Sequence, residues 1–296
     1  MQQYLTIFKE VRGILEQQGL KDEAISDNYQ SIFTKLNPNP FTFQQVMVDY
    51  LSEFGVKSLD FVDQTFWSNG IRVRRSEKGL IVTAVTGDNR FVVGDKITHL
   101  SGDSVQQLSD RYQKLLFNEL VDRQDWLPIL KKQHSAALLR GDQTYTFDLK
   151  AFDENGETEV YKRNGFTEVI VHHVRDFYHY LMSASGPQLI DIRNAYGVMT
   201  ETRIDEMTEK LPVHSIVLID ALTKGSAERF ASKLDKKQLV GQETYGQAGI
   251  LNKKRLDDQF FIYPESKDST VEPGTMVKLS SDIDTIRNKG IEQLNR

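Results

Sequence analysis

Two apolar runs in the last third of the chain limit its fold more than any other feature. "PQLIDIR" (187–193) and "SIVLID" (215–220) are nearly unbroken stretches of large aliphatic residues. Continuous rather than alternating hydrophobicity marks strands buried on both faces, as in parallel sheets covered by helices on each side. Between them, "ETRIDEMTEKL" (201–211) has the spacing of a crossover helix. "KQLVGQETYG" (237–246) supplies the next strand and its exit loop. After the second run the chain turns into a helix, "TKGSAERFASKL" (223–234), with Ala227, Phe230, Ala231 and Leu234 at helical spacing. A strand, a tight turn and a helix start in succession form a place where nucleophiles are displayed.

The earlier parts follow other periods. Tyr4, Phe8, Val11 and Leu15 lie on one helical face, widened by Leu5, Ile7 and Ile14. "NPNPF" (37–41) breaks the chain, and "FTFQQVMVDYLSEFG" (41–55) reads as a second amphipathic helix closed by Gly55. Residues 1–65 are therefore read as an N-terminal helical arm. "GIRVRRSEKGLIVTAV" (70–85) alternates like paired strands. "VVGDKITHLSGDSVQQL" (92–108) reads as strand, turn at Ser101–Gly102, then helix, and "QTYTFDLKAF" (143–152) as a further strand. The expected fold class is an α/β core over 153–296 with a parallel-rich sheet. It is preceded by a small β-rich domain over 66–152 and by the arm.

Composition excludes several functions. The 296 residues carry a net charge of −5, so no overall field draws the chain to nucleic acid or acidic lipid. Without cysteine there is no disulfide, thiolate metal site or cysteine nucleophile. No apolar run nears the ~20 residues that span a bilayer. Acidic residues interrupt the N-terminal pattern, which is not that of a signal peptide. The expected location is cytoplasmic if the chain is complete as given, and extracytoplasmic if a signal segment was trimmed. "VRRSEK" (73–78) reads as a solvated basic strand face, too short for nucleic acid. In "EVIVHHVRDF" (168–177), His172 and His173 point to opposite faces of a strand. The six histidines show no ligand spacing, so no metal or cofactor is expected and these two read as satisfied or surface side chains. "DENGE" (153–157) reads as a hairpin turn and "NKKRLDD" (252–258) as charged surface.

"GIRV" (70–73), "GLIVTAV" (79–85), "GDKITHLSGDSV" (94–105) and the helix that follows resemble a PDZ domain. The resemblance implies strand addition by an extended peptide whose terminal carboxylate meets a glycine-containing loop. By position that loop is "WSNGI" (67–71), which assigns Ser68, Asn69, Gly70 and Ile71 to peptide binding. Two departures leave open a purely structural module: "TGDNRF" (86–91) replaces a short helix, and 117–140 looks inserted.

With the core added, the order of parts resembles the carboxyl-terminal processing (tail-specific) serine peptidase family. "LIDIRNAYG" (189–197) is similar to its Asp-x-Arg-x-Asn-x-Gly-Gly strand end. "TKGSAERF" (223–230) is similar to its Ser-Ala-x-Glu turn, and "LVGQETYGQ" (239–247) to its Gly-Glu-x-Thr-x-Gly-Lys loop. The closing 271–294 resembles the family's last strand and helix. That family activates a serine hydroxyl with a neutral, poorly solvated lysine and stabilises the oxyanion with backbone amides. Carried over position by position, the nucleophile falls on Gly225 and the base on Gln247. The oxyanion end becomes Ala195, Tyr196, Gly197 and Val198, with Ser226 and Ala227 completing the pocket. Asp191, Arg193, Glu228, Glu243, Thr244 and Gly246 stay as scaffold.

The resemblance thus implies a retained fold with lost catalysis, binding a peptide or protein C-terminal tail. Two readings stand beside it. One is an active serine peptidase using the shifted Ser226, which on the plainer reading caps the helix. The other is an interaction protein acting through its N-terminal helices. Lys224, on the turn, is expected to be solvated.

Overall fold

The computed structural model describes residues 2–35, 39–55, 59–63, 67–77, 79–116, 121–153, 157–249, 254–257, 260–263, 269–278 and 284–296. It is a mixed fold with both antiparallel and parallel-containing sheets. The chain forms two compact units: Met1–Phe66 with Tyr112–Phe117 and Ile250–Asp268, and the remainder.

Among the described residues the first unit contains a short helix, Gln113–Leu116, and three longer ones, Gln2–Gln17, Glu23–Lys35 and Pro40–Ser52. The middle one adds to the two expected. Asn39 caps the third by accepting the Thr42 amide at 2.9 Å, and Pro40 takes the first turn, where no amide partner is needed. The helices are joined by a small sheet in which Asp60–Asp63 pairs antiparallel with Phe260–Tyr263, and Lys254–Arg255 adds to it. Phe61 and Phe260 stack at 5.2 Å between centroids, and both meet the edge of Phe43. All three are buried among Phe8, Phe33 and Met47. Part of the stretch read as charged surface is thus a strand; 251–253 and 258 lie outside the described residues.

The second unit holds two six-stranded sheets. The antiparallel one runs Ile71–Ser76, Gly79–Val85, Lys96–Leu100, Ser135–Arg140, Gln143–Asp148, with Asp103–Ser104 beside the third strand. Asp95 fixes the turn that leads into the strand Lys96–Leu100. The buried carboxylate accepts the Val92 amide at 2.9 Å and pairs with Arg140 at 2.7 Å. The strand Ile71–Ser76 differs from the solvated basic face expected of it, because Arg74 and Arg75 are buried. Arg75 donates to Gln106 at 2.7 Å and lies over the Trp126 ring. The turn read at 153–157 falls on 154–156, outside the described residues.

The other sheet runs Glu159–Lys162, Thr167–Ile170, Gln188–Asp191, Ile216–Ile219, Leu239–Gly241, Thr275–Met276. Its first pair is antiparallel and the rest are parallel. Ile190, Val217 and Ile219 face the helices Val174–Leu181, Glu201–Lys210 and Gly225–Ser232. Leu189, Ile216 and Leu218 face the helix Asp284–Leu294 through Ile286. Both faces are covered, which is why these strands read as continuous apolar runs. Each such side chain adds roughly 1.5–3 kcal/mol by its burial.

Replacing Phe260 with alanine is expected to destabilise the first unit by about 3–5 kcal/mol. Urea unfolding followed by circular dichroism reads this, and a loss below about 1 kcal/mol would mean that the ring stack is not what holds the strand pair.

Candidate functional site

In open α/β sheets ligands meet the carboxyl ends of the parallel strands. Three loops emerge there: 192–199 after Gln188–Asp191, 220–224 after Ile216–Ile219, and 242–247 after Leu239–Gly241. They hold Arg193, Ala195, Tyr196, Gly197, Glu243, Thr244, Gly246 and Gln247, while Gly225, Ser226, Ala227 and Glu228 open the helix Gly225–Ser232 and Asp191 ends its strand.

The turn 220–224 is organised by Asp220, which is buried at the end of its strand. Its carboxylate accepts the amides of Leu222 and Thr223 at 3.0 and 3.1 Å and the Thr223 hydroxyl at 3.2 Å. Burial pushes this carboxyl above its ordinary range, against the pull of Arg193. Arg193 itself pairs with Asp191 at 2.6 Å.

Gly225 opens the next helix with φ +62, a conformation costly for any residue with a Cβ. A Cβ built there meets nothing within 4 Å. Ser226 does not cap the helix. The capping place belongs to Lys224, which makes no side-chain cap bond. Ser226 Oγ instead accepts the Met199 amide at 2.9 Å, tying the helix start to the 192–199 loop. One residue along a helix turns a side chain by ~100°, which explains why this hydroxyl looks sideways.

Within that loop, Ala195 is buried, while Tyr196 and Gly197 are partly exposed. Tyr196 donates its amide to the His172 carbonyl at 2.9 Å and accepts the Val174 amide at 2.9 Å. His173, like His172, sits beyond the end of the strand Thr167–Ile170 rather than in it. Its Nδ1 accepts the Arg175 amide at 3.0 Å, so it caps the helix Val174–Leu181. Its ring packs edge-on to Tyr196, and a Cβ on Gly197 would lie 2.7 Å from its Nε2. His172 is nearly buried, with Nε2 2.7 Å from Glu159. Both histidines are satisfied.

Glu228 joins the helix to the 242–247 loop. Its buried carboxylate accepts the Thr244 hydroxyl, the Gly246 amide at 2.7 Å and the Gln247 amide at 2.6 Å. Thr244 Oγ1 in turn accepts the Val271 amide at 2.7 Å. Burial raises the Glu228 carboxyl to about 7, with the three donors acting in the opposite sense. Ala227 is buried beside it. The backbone at Gln247 is thus fixed, and the Tyr245 amide is bonded to the Thr223 carbonyl at 3.1 Å.

Lys224 is not simply solvated. Its ammonium pairs with Asp125, a residue the sequence reading did not single out, and lies 5.4 Å above the Tyr245 ring. Asp125 Oδ1 also accepts the Leu127 amide at 3.0 Å. Burial acts to raise the Asp125 carboxyl, but Lys224 outweighs it and holds the group below its ordinary range. A cavity of about 110 Å³ opens at this pair. One wall is the strand stretch Ile71, Arg72 and Val73; the other is 193–196. Arg72 lies 5.4 Å over the Tyr196 ring, and Thr83 donates to Asn194 at 3.3 Å.

Of the loop assigned to a peptide end, Ile71 lines this cavity and Ser68, Asn69 and Gly70 do not. Ser68, Asn69 and Ile71 are buried. The Gly70 amide donates to Ser68 Oγ at 3.0 Å, and the Gly70 carbonyl accepts the amides of Thr86, Gly87 and Asp88. Asn69 Oδ1 is buried without a partner among the described residues, which suits a donor rather than a carboxylate. No group of three or more potential metal ligands occurs among the described residues, and none of the described helices is long and apolar enough to cross a membrane.

No family model matches the chain, and no curated protein matches it in sequence. Solved structures do. Mature CPAF matches with TM-score 0.54 at 12% identity, over 99% of this chain and 96% of that one. Mature CPAF complexed with lactacystin matches with TM-score 0.53 at 11% identity, over 99% and 97%. A photosystem II D1 C-terminal processing protease matches with TM-score 0.45 at 13% identity, over 96% of each. At these identities the likeness to CPAF is one of fold.

The Glu228 shift has a sign that can be checked. A carboxyl raised from 4.5 to about 7 on folding stabilises the fold most below the unfolded value and loses that contribution as pH rises to 7. The full span is about 3 kcal/mol. Urea unfolding at pH 5 and pH 8 is expected to show the protein losing more stability with rising pH than Glu228→Gln. Parallel pH dependence in the two would refute the assignment.

Proposed function

We propose that this protein is a peptidase-like homologue that does not hydrolyse peptides and captures a peptide or protein tail in the cavity beside Lys224. The observation that carries this reading is the turn at 225. The position that the resemblance gives to the nucleophile has no side chain. The neighbouring hydroxyl of Ser226 is taken up by the Met199 amide. Acyl transfer needs a nucleophile beside a base that takes its proton. Gln247, at the base position, is an amide and takes no proton at neutral pH, and Lys224 is ion-paired with Asp125.

The shifted-serine reading requires Ser226 to exchange the Met199 amide for a base. The reading in which the N-terminal helices act alone gives no role to a cavity that runs from Ile71 to Lys224. Capture of a tail uses that cavity and needs no proton transfer.

Neither the protein nor its Ser226→Ala variant is expected to cleave unfolded casein at equal concentration. Hydrolysis by the first that disappears in the second would overturn the reading and make Ser226 the nucleophile. Gly225→Ser is expected to fold with a loss of about 1–2 kcal/mol, the cost of a left-handed residue. It is expected to stay inactive, because position 247 still offers no base; cleavage by this single variant would show that another group serves as the base.

A further inference from the structure

The cavity is unevenly charged. Arg72, Arg193 and Lys224 line it, against the single carboxylate of Asp125. Arg193 is matched by Asp191 outside the lining. The remaining lining is largely apolar, with Leu127, Leu130 and Leu222. A peptide entering here would therefore meet aliphatic walls and one exchangeable ion pair.

That pair is the informative feature. The Lys224 and Asp125 side chains keep 40% and 29% of their exposure, so water reaches both. The pair is part-buried, and a second carboxylate that meets the ammonium in the same place replaces the attraction that Asp125 gives up. Asp125 belongs to the stretch between Val121–Arg123 and Leu127–Leu130, which is tied a second time by Arg123 to Glu243 at 3.1 Å. The stretch is anchored independently of the pair. Releasing Asp125 leaves its neighbours Leu127 and Leu130 in place and frees the ammonium within an apolar cavity.

We infer that Lys224 anchors a carboxylate of the captured peptide and that Asp125 is the internal group this carboxylate displaces. The inference rests on the tail-capture reading and adds its selectivity: acidic peptides over neutral ones. A terminal carboxylate and a Glu or Asp side chain share this chemistry. Arg72, on the opposite wall, adds charge of the same sign without having to touch the ligand.

Three fluorescein-labelled hexapeptides of alanine and leucine test it by fluorescence anisotropy. One has a free carboxyl end, one is amidated, and one is amidated but carries a single glutamate. The expected result is that at least one carboxylate-bearing peptide binds about three- to fivefold tighter than the neutral amide. The first and third peptides separate a terminal carboxylate from a side-chain one. Asp125→Asn is expected to strengthen carboxylate binding by a similar factor and to leave the neutral amide unchanged. Lys224→Gln is expected to abolish the preference, and Lys224→Arg to restore it. Circular dichroism confirms that each variant is folded. Equal binding of all three peptides, or a preference indifferent to both positions, overturns the inference and leaves tail capture standing. Binding of no peptide by any folded variant overturns tail capture and this inference together.

Discussion

A single buried carboxylate holds the end of the parallel sheet together. Glu228 is rooted in the first turns of the helix Gly225–Ser232 and reaches into the next loop, where Thr244, Gly246 and Gln247 all donate to it. Leaving any of these donors buried without a partner costs about 1–3 kcal/mol. The helix start therefore cannot shift without orphaning backbone amides in the 242–247 loop. Ser226 extends the same logic to the other side by accepting Met199. Two side chains on one helical turn thus set the relative positions of three loops. A scaffold held this firmly persists whether or not a nucleophile stands at 225.

Buried charge plays a comparable part beneath the cavity. Arg193, Asp191 and Asp220 are clustered at strand ends, and Arg74 feels Asp220 from the antiparallel sheet. Desolvating such groups is expensive, and displacement of one partner leaves the other uncompensated. The cluster therefore fixes how the two sheets of the second unit meet more sharply than aliphatic contact alone would.

How much of this is legible in the sequence depends on the range of the interaction. The strands Gln188–Asp191 and Ile216–Ile219 announce themselves because burial on both faces is written into consecutive residues. The Gly94–Asp95 turn is equally local, as is the helix start at 225. The helix Glu23–Lys35 is harder to see, because it buries little beyond Ser26 and Phe33 and its other residues are polar. Arg74 and Arg75 read as solvated because their partners come from other segments. The partner of Lys224 is 99 residues away, and no local pattern names it. For the same reason the importance of Glu228 is visible as a motif position, whereas its three donors are a product of the fold.

The pairing of Phe61 with Ile262 has a consequence for how the chain is made. The three helices over 2–52 are synthesised some two hundred residues before Phe260–Tyr263, the strand that completes their core. Until residue 263 has left the ribosome, Phe43 and Phe61 have no Phe260 to pack on. Closing a contact across so much chain is slow, and exposed aromatic surface is prone to wrong partners while it waits. The second unit is interrupted in the same way, since Thr275–Met276 and the helix Asp284–Leu294 arrive after the detour. The first unit gains its last segment at 250–268 and the second at 269–296, so each carries unfinished hydrophobic surface for most of its synthesis.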